Sequence, residues 1–106
     1  MANTFKNYLA SSVGTSPNSV YTVGAGTTSV TIGMNIANIE STQIKVDAYI
    51  TSGGSDYYIV KDAPIPAGSA LSVLDGKIIL EAADVVKVVS DTASSADVVL
   101  SVLEQT

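Results

Sequence analysis

Histidine, cysteine and arginine are all missing from these 106 residues, so the chemistry left to the side chains rests on ten carboxylates, five lysines, five tyrosines and many hydroxyls. Without imidazole or thiol, most nucleophile and general-base arrangements drop out. A carboxylate pair could hydrolyse a glycoside, but the acids stand singly along turns and polar strand faces. No enzyme is expected, and no catalytic, cofactor-binding or metal-binding residue is assigned. Calcium would accept the oxygen atoms of Asp56 and Asp62 in "GGSDYYIVKD" or of Asp91 and Asp97 in "SDTASSAD". The acid spacing of an EF-hand loop is absent, and Asp and Ser in such runs ordinarily bond their own backbone. The glycine pairs in "GAGTTS" and "TSGGS" lack the Gly-Lys-Ser/Thr ending of a phosphate cradle and precede strands, so they read as turns. Tyr57 and Tyr58 are adjacent, and neighbours on a strand face opposite ways. One should pack inward and the other look outward, where a phenol ring suits contact with a glycan or a protein.

Such residues must be held by elements whose composition is unusual. The chain is 46% hydrophobic with mean hydropathy +0.36, yet only 14% charged, against roughly 25% in an average soluble protein. No run approaches the roughly 18 to 20 apolar residues of a membrane span, so no membrane partner is expected. The opening "MANTFKNYLASSVG" has a lone lysine and no apolar h-region, so no secretory signal peptide is expected either. Charge depletion marks the cores of protein interfaces, which points to a surface covered by other subunits. A net charge of −5 without arginine opposes the binding of nucleic acid. With no cysteine, packing and association must supply the stability.

The dominant period along the chain is two. In "SVTIGMNIAN" Val30, Ile32, Met34 and Ile36 alternate with smaller or polar residues, and in "TQIKVDAYIT" Ile44, Val46, Ala48 and Ile50 do the same. These alternations predict two amphipathic strands with Ile32 and Val46 in the core. In "SADVVLSVLE" Ala96, Val98, Leu100 and Val102 share one face, but Val99 and Leu103 make the opposite face apolar too. A strand apolar on both sides is usually covered on both, so Val99 and Leu103 are candidates for a contact outside the domain's own core, the alternative being a central strand partly covered by the N-terminal segment. Further strands are expected at 19–23, 57–61, 70–74, 77–80 and 85–89, separated by turn residues. "LEAADVVKV" allows at most one helical turn, because the β-branched run favours a strand. Pro64 and Pro66 read as an extended connector, and Asp75-Gly76 as a hairpin turn joining "SALSVL" to "KIIL". Residues 1–18 are an N-terminal arm or a first strand, anchored by Phe5 and Leu9. The whole predicts one all-β domain over 1–106, a small antiparallel β-sandwich or β-barrel, immunoglobulin-like or jelly-roll-like.

The segments "VYTVGAGTTSVTIGMNIAN", "YYIVKDAPIPAGSALSVLDGKIILEAADVVKVVSD" and "SSADVVLSVLE" together resemble small virion structural proteins of tailed bacteriophages. In that group a strand ending in a "PAG" turn is followed by a "GKI.L" strand, an acidic corner and a "D.VKV" strand. One departure is visible: the corner commonly reads Ala-Gly-Asp and here reads Ala82-Ala83-Asp84. Losing that glycine implies either a corner without positive φ at position 83 or mild strain. The resemblance implies a β-sandwich present in many copies on a particle, with no reaction and no cofactor, located in the virion after synthesis in the host cytoplasm.

On that basis the expected function is a capsid decoration or cement protein, a homo-oligomer with a trimer favoured. Its partners would be other virion proteins, such as the major capsid protein or tail and neck proteins. The alternatives are a structural protein of the tail, neck or fibre attachment region and, in another class, a carbohydrate-binding module using the tyrosines. Absence of tryptophan and of a clustered aromatic platform opposes the last. The candidate interface residues are Phe5, Tyr57, Tyr58, Val99 and Leu103.

Overall fold

The computed structural model describes residues 2–74 and 76–106. They form nine strands: β1 (Asn3–Val13), β2 (Asn18–Thr22), β3 (Thr28–Asn38), β4 (Ile44–Ser52), β5 (Ser55–Ile65), β6 (Ala70–Ser72), β7 (Ile79–Leu80), β8 (Val85–Ser90) and β9 (Ala96–Gln105). No helix occurs among the described residues; "LEAADVVKV" makes a turn and then enters β8, as its β-branched side chains favour.

All pairings are antiparallel and nested. β4 pairs with β5 as a hairpin, β3 with β6 and β7, β2 with β8, and β1 with β9. One long ribbon thus folds over on itself, and the contacts β9 to β3 and β8 to β4 close it into two sheets. The sheet orders are β1-β9-β3-β6, with β7 further along β3, and β2-β8-β4-β5. This is a β-sandwich with the strand order of a jelly roll. One cluster of buried side chains fills the space between the sheets; Ile36, Leu100 and Val102 enter it from the first sheet, and Ile44, Val46 and Val88 from the second.

Three expectations need correction. The segment 77–80 does not form a hairpin with the strand before it. β6 and β7 both pair with β3, at Asn35–Ala37 and at Ser29–Val30, so they lie end to end along one edge. Asp75 of the proposed turn lies outside the described residues. Pro64 belongs to β5 rather than to a connector, which an edge strand tolerates because its free side needs no donor. Most consequential is Ile32, which is 48% exposed. Thr31 pairs with Val102 and Gly33 with Ser101, so Ile32 is an extra residue opposite consecutive β9 positions. A bulge of this kind reverses which face later residues occupy. Ser29 and Thr31 are therefore buried before it, and Met34 and Ile36 after it.

The acidic corner resolves the other way. Asp84 N–H donates to Glu81 O at 3.0 Å and Ala83 takes φ 74. This turn uses a left-handed third residue, the position where glycine is favoured, so the strained alternative is the one adopted. Asp84 supports it, its carboxylate accepting from Glu81 N–H at 2.9 Å and from the Ser52 hydroxyl at 2.6 Å.

Candidate functional site

Register aligns the exposed apolar residues of the first sheet. Phe5 pairs with Leu103, Leu103 with Val30, and Val30 with Ile79, forming one row across four strands. A second row runs from Leu9 to Val99, then to Asn35 and Ser72. Between them lie Asn7, Ser101 and Gly33, with Ile32 bulged beside them. On this outer face Phe5 is 75% exposed, Leu9 and Ile79 63%, Ile32 48% and Val99 45%, while Val30 and Leu103 are half-buried. Asp97, in the row beyond Val99, is the charged residue met on these rows, and its carboxylate accepts Ser12 N–H at 2.9 Å. An open depression of about 390 Å³ between Leu9, Ser11, Asp97 and Val99 adjoins the face. The outer face of the second sheet contrasts with it: Asp47 and Lys61 there form an ion pair at 3.7 Å.

Chain economy makes this face unusual. The first half of β3 buries Ser29 and Thr31 while Val30 and Ile32 look outward. Both buried hydroxyls are satisfied, Ser29 by the Tyr21 hydroxyl and Thr31 by Ile78, whose N–H it accepts at 2.8 Å and whose carbonyl it donates to at 3.2 Å. Apolar groups left in water where polar ones could stand mark a surface with a use.

Phe5, Val99 and Leu103 are thus brought together, but Tyr57 and Tyr58 are not with them. Both tyrosines lie on β5 of the other sheet and both are exposed, so neither packs inward. Near the hairpin tip residues 53–58 are all exposed, and no opposite sheet covers them. Tyr58 packs on Tyr49 with ring centroids 4.9 Å apart, and Lys61 Nζ stands 4.9 Å from the Tyr58 ring. Sequence reasoning did not assign Leu9, Ile32 or Ile79 to the interface. The signals that could have found the last two are Gly33, since glycine inside a strand often marks a bulge, and the adjacent Ile78-Ile79 pair, which must split between faces.

A second constellation was not foreseen. Glu104 continues the inward face of β9, and its Oε2 accepts the hydroxyls of Tyr8 at 2.7 Å and Tyr21 at 2.6 Å. Lys6 Nζ lies 3.4 Å from Oε1, and the two tyrosine rings stack with centroids 4.0 Å apart. Hydrogen bonds from Tyr21 and Tyr8 hold the Glu104 carboxyl below its ordinary range. Burial, then the Glu104 carboxylate, pushes both phenols up. The acid is therefore fixed charged and the phenols fixed protonated, and neither is poised to move a proton near neutrality. The cluster ties β1 and β9 of one sheet to β2 of the other.

Of the acids weighed as calcium ligands, Asp56, Asp91 and Asp97 serve backbone N–H groups or hydroxyls, while Asp62 takes part through its own backbone N–H. Asp91 accepts Lys45 N–H at 3.1 Å and the Thr92 hydroxyl at 3.0 Å, Asp56 accepts the Thr51 hydroxyl at 2.7 Å, and Asp62 N–H donates to Asp47 at 2.7 Å. Among the described residues no three acids come together as a metal-binding group.

No protein-family model matches the chain, and no curated protein matches it. Among solved structures, a Bacillus endospore appendage protein, from a family described as disulfide-linked pili, aligns with TM-score 0.51 at 11% identity. The alignment covers 99% of this chain and 85% of that one. The nucleoplasmin-like N-terminal domain of Drosophila FKBP39 aligns at TM-score 0.44 and 9% identity, over 98% and 91%. The first likeness is one of fold. This chain has no cysteine, so it cannot form disulfide links.

Proposed function

We propose that this chain is a non-enzymatic structural subunit of a tailed-phage virion, a capsid decoration or cement protein that seats the outer face of its first sheet on another virion protein. The observation that carries the reading is the inversion in β3, which buries Ser29 and Thr31 and leaves Val30 and Ile32 on an outer face with Phe5, Leu9, Ile79 and Val99. A charge-poor face of that kind, with Asp97 at its margin, gains from losing water and meets little charge repulsion on docking. The resemblance of residues 20–38, 57–91 and 94–104 to small virion proteins supplies the particle. Jelly rolls recur in viral capsid and lectin domains, which agrees by fold analogy alone.

The test is co-sedimentation with intact particles. The protein should travel with purified virions in hundreds of copies, and its absence from them would overturn the reading. A copy number of a few to some tens would instead place it in the neck or tail. The carbohydrate-binding alternative rests on exposed Tyr57; glycan-array binding that vanishes in Tyr57→Ala would support it.

A further inference from the structure

Two stacked sheets leave four edges, and exposed edges invite pairing with other chains unless they are blocked. Three edges here carry a device against it. β2 is short, follows Pro17 and has a register break between Ser19 and Tyr21. β5 has two register breaks along β4, carries Pro64, and adds Lys61 and Asp62. The edge of the first sheet opposite β1 is split into β6 and β7, three and two residues long. β1 differs from all of them. Its pairing with β9 runs unbroken from Asn3 to Ala10, it contains no proline, and its lone charge, Lys6, is turned to Glu104. Among the described residues no strand pairs with its other side.

The hydrogen-bonding phase of that edge follows from its end. Ala2 and Thr106 exchange both backbone bonds, at 3.1 and 3.0 Å. Bonded and non-bonded pairs alternate in an antiparallel ladder, so Thr4, Lys6, Tyr8 and Ala10 bond β9. The N–H and C=O groups of Asn3, Phe5, Asn7 and Leu9 then point to the open side.

We infer that two copies of this chain join edge to edge through β1, antiparallel about a two-fold axis at Asn7, making one continuous sheet from the two outer faces. The inference rests on the reading of the chain as an assembling subunit and names the contact. Its register follows from the side chains. Centred on Asn7, Phe5 stands opposite Leu9 of the second copy, an aromatic–aliphatic pair on the outer face, and Lys6 stands opposite Tyr8. Moving the axis to residue 6 would set Lys6 against Lys6, a like-charge pair. The apolar row Ile79, Val30, Leu103, Phe5 then continues into Leu9 and Val99 of the second copy. A two-fold edge pair consumes the edge and closes at two copies, in place of the trimer expected from the resemblance.

Because the chain has no cysteine, Asn7→Cys reports the axis directly. Opposed residues of a bonded antiparallel pair sit about 5.5 Å apart at Cα, inside the range a disulfide spans. Under mild oxidation Asn7→Cys should convert to a covalent dimer, and Tyr57→Cys should not. In sedimentation equilibrium the unmodified protein should be a dimer at tens of micromolar. Asn7→Pro removes an N–H that points away from β9, so the domain should keep its melting temperature. Association should weaken roughly 30-fold for the two symmetry-related hydrogen bonds lost. A monomer or trimer for the unmodified protein, a folded Asn7→Pro dimer of unchanged affinity, or cross-linking of Asn7→Cys no better than Tyr57→Cys would each overturn the edge pair. A dimer that never sediments with particles leaves the edge pair standing and removes the virion reading.

Discussion

Ala83 holds φ 74 in a turn that prefers glycine, and a side chain in this region costs roughly 1 to 2 kcal/mol. Ala83→Gly relieves that cost but loosens the unfolded chain, for an expected net gain of about 0.5 to 1 kcal/mol, read as a higher urea midpoint at unchanged slope. Glu104 gives the opposite kind of test. Its folded value lies below that of the unfolded chain, so its contribution is complete above the ordinary carboxylate range and is lost as pH falls through the depressed value. Tyr8 and Tyr21 are raised; their contribution is complete below the ordinary phenol range and is lost as pH rises toward their folded values. Glu104→Gln should cost about 1 to 3 kcal/mol at pH 7 and flatten the acid side of a melting-temperature profile. An unchanged acid side would remove Glu104 from that role. The sequence showed Ala83 as a departure from a pattern. It could not show Glu104, because its partners stand 83 and 96 positions away.

The strands divide by how well alternation survived. β9 was legible in full, with Ala96, Val98, Leu100 and Val102 buried and Val99 out. β4 was legible as well, with Ile44, Val46 and Ala48 fully buried and Ile50 packed against the core; Val46→Asp should unfold the domain, since an unpaired buried charge costs about 4 kcal/mol or more. β3 was misread, because one bulged residue moves every side chain before it to the other face. Ile32→Asp therefore should leave the far-ultraviolet circular dichroism and the melting temperature nearly unchanged, while any loss of fold would return Ile32 to the core. The hairpin expected around Asp75-Gly76 failed for a related reason. Turn signals report that a chain bends, but β6 and β7 chose a common partner in β3 over each other.

At the scale of the molecule, the outer face of the first sheet should separate assembly from folding. Val99→Asp or Ile79→Asp places a charge on an exposed position, so thermal stability should stay within about 0.5 kcal/mol. Co-sedimentation with particles should fall sharply in both variants. If both bind as the parent does, the face is not the docking surface. The likeness in fold to a Bacillus endospore appendage protein, at TM-score 0.51, accords with the sandwich. The sequence by itself determined the all-β class, most strand positions, the shortage of charge and the two-sided character of β9. These are properties of composition and short-range period, which a strand carries wherever it lies. Only the tertiary structure decided the jelly-roll order, the bulge at Ile32, the Glu104 cluster and the alignment of Phe5, Leu103, Val30 and Ile79 in one row. Each depends on which distant segments pair and in what register, and a period of two is equally satisfied by many registers.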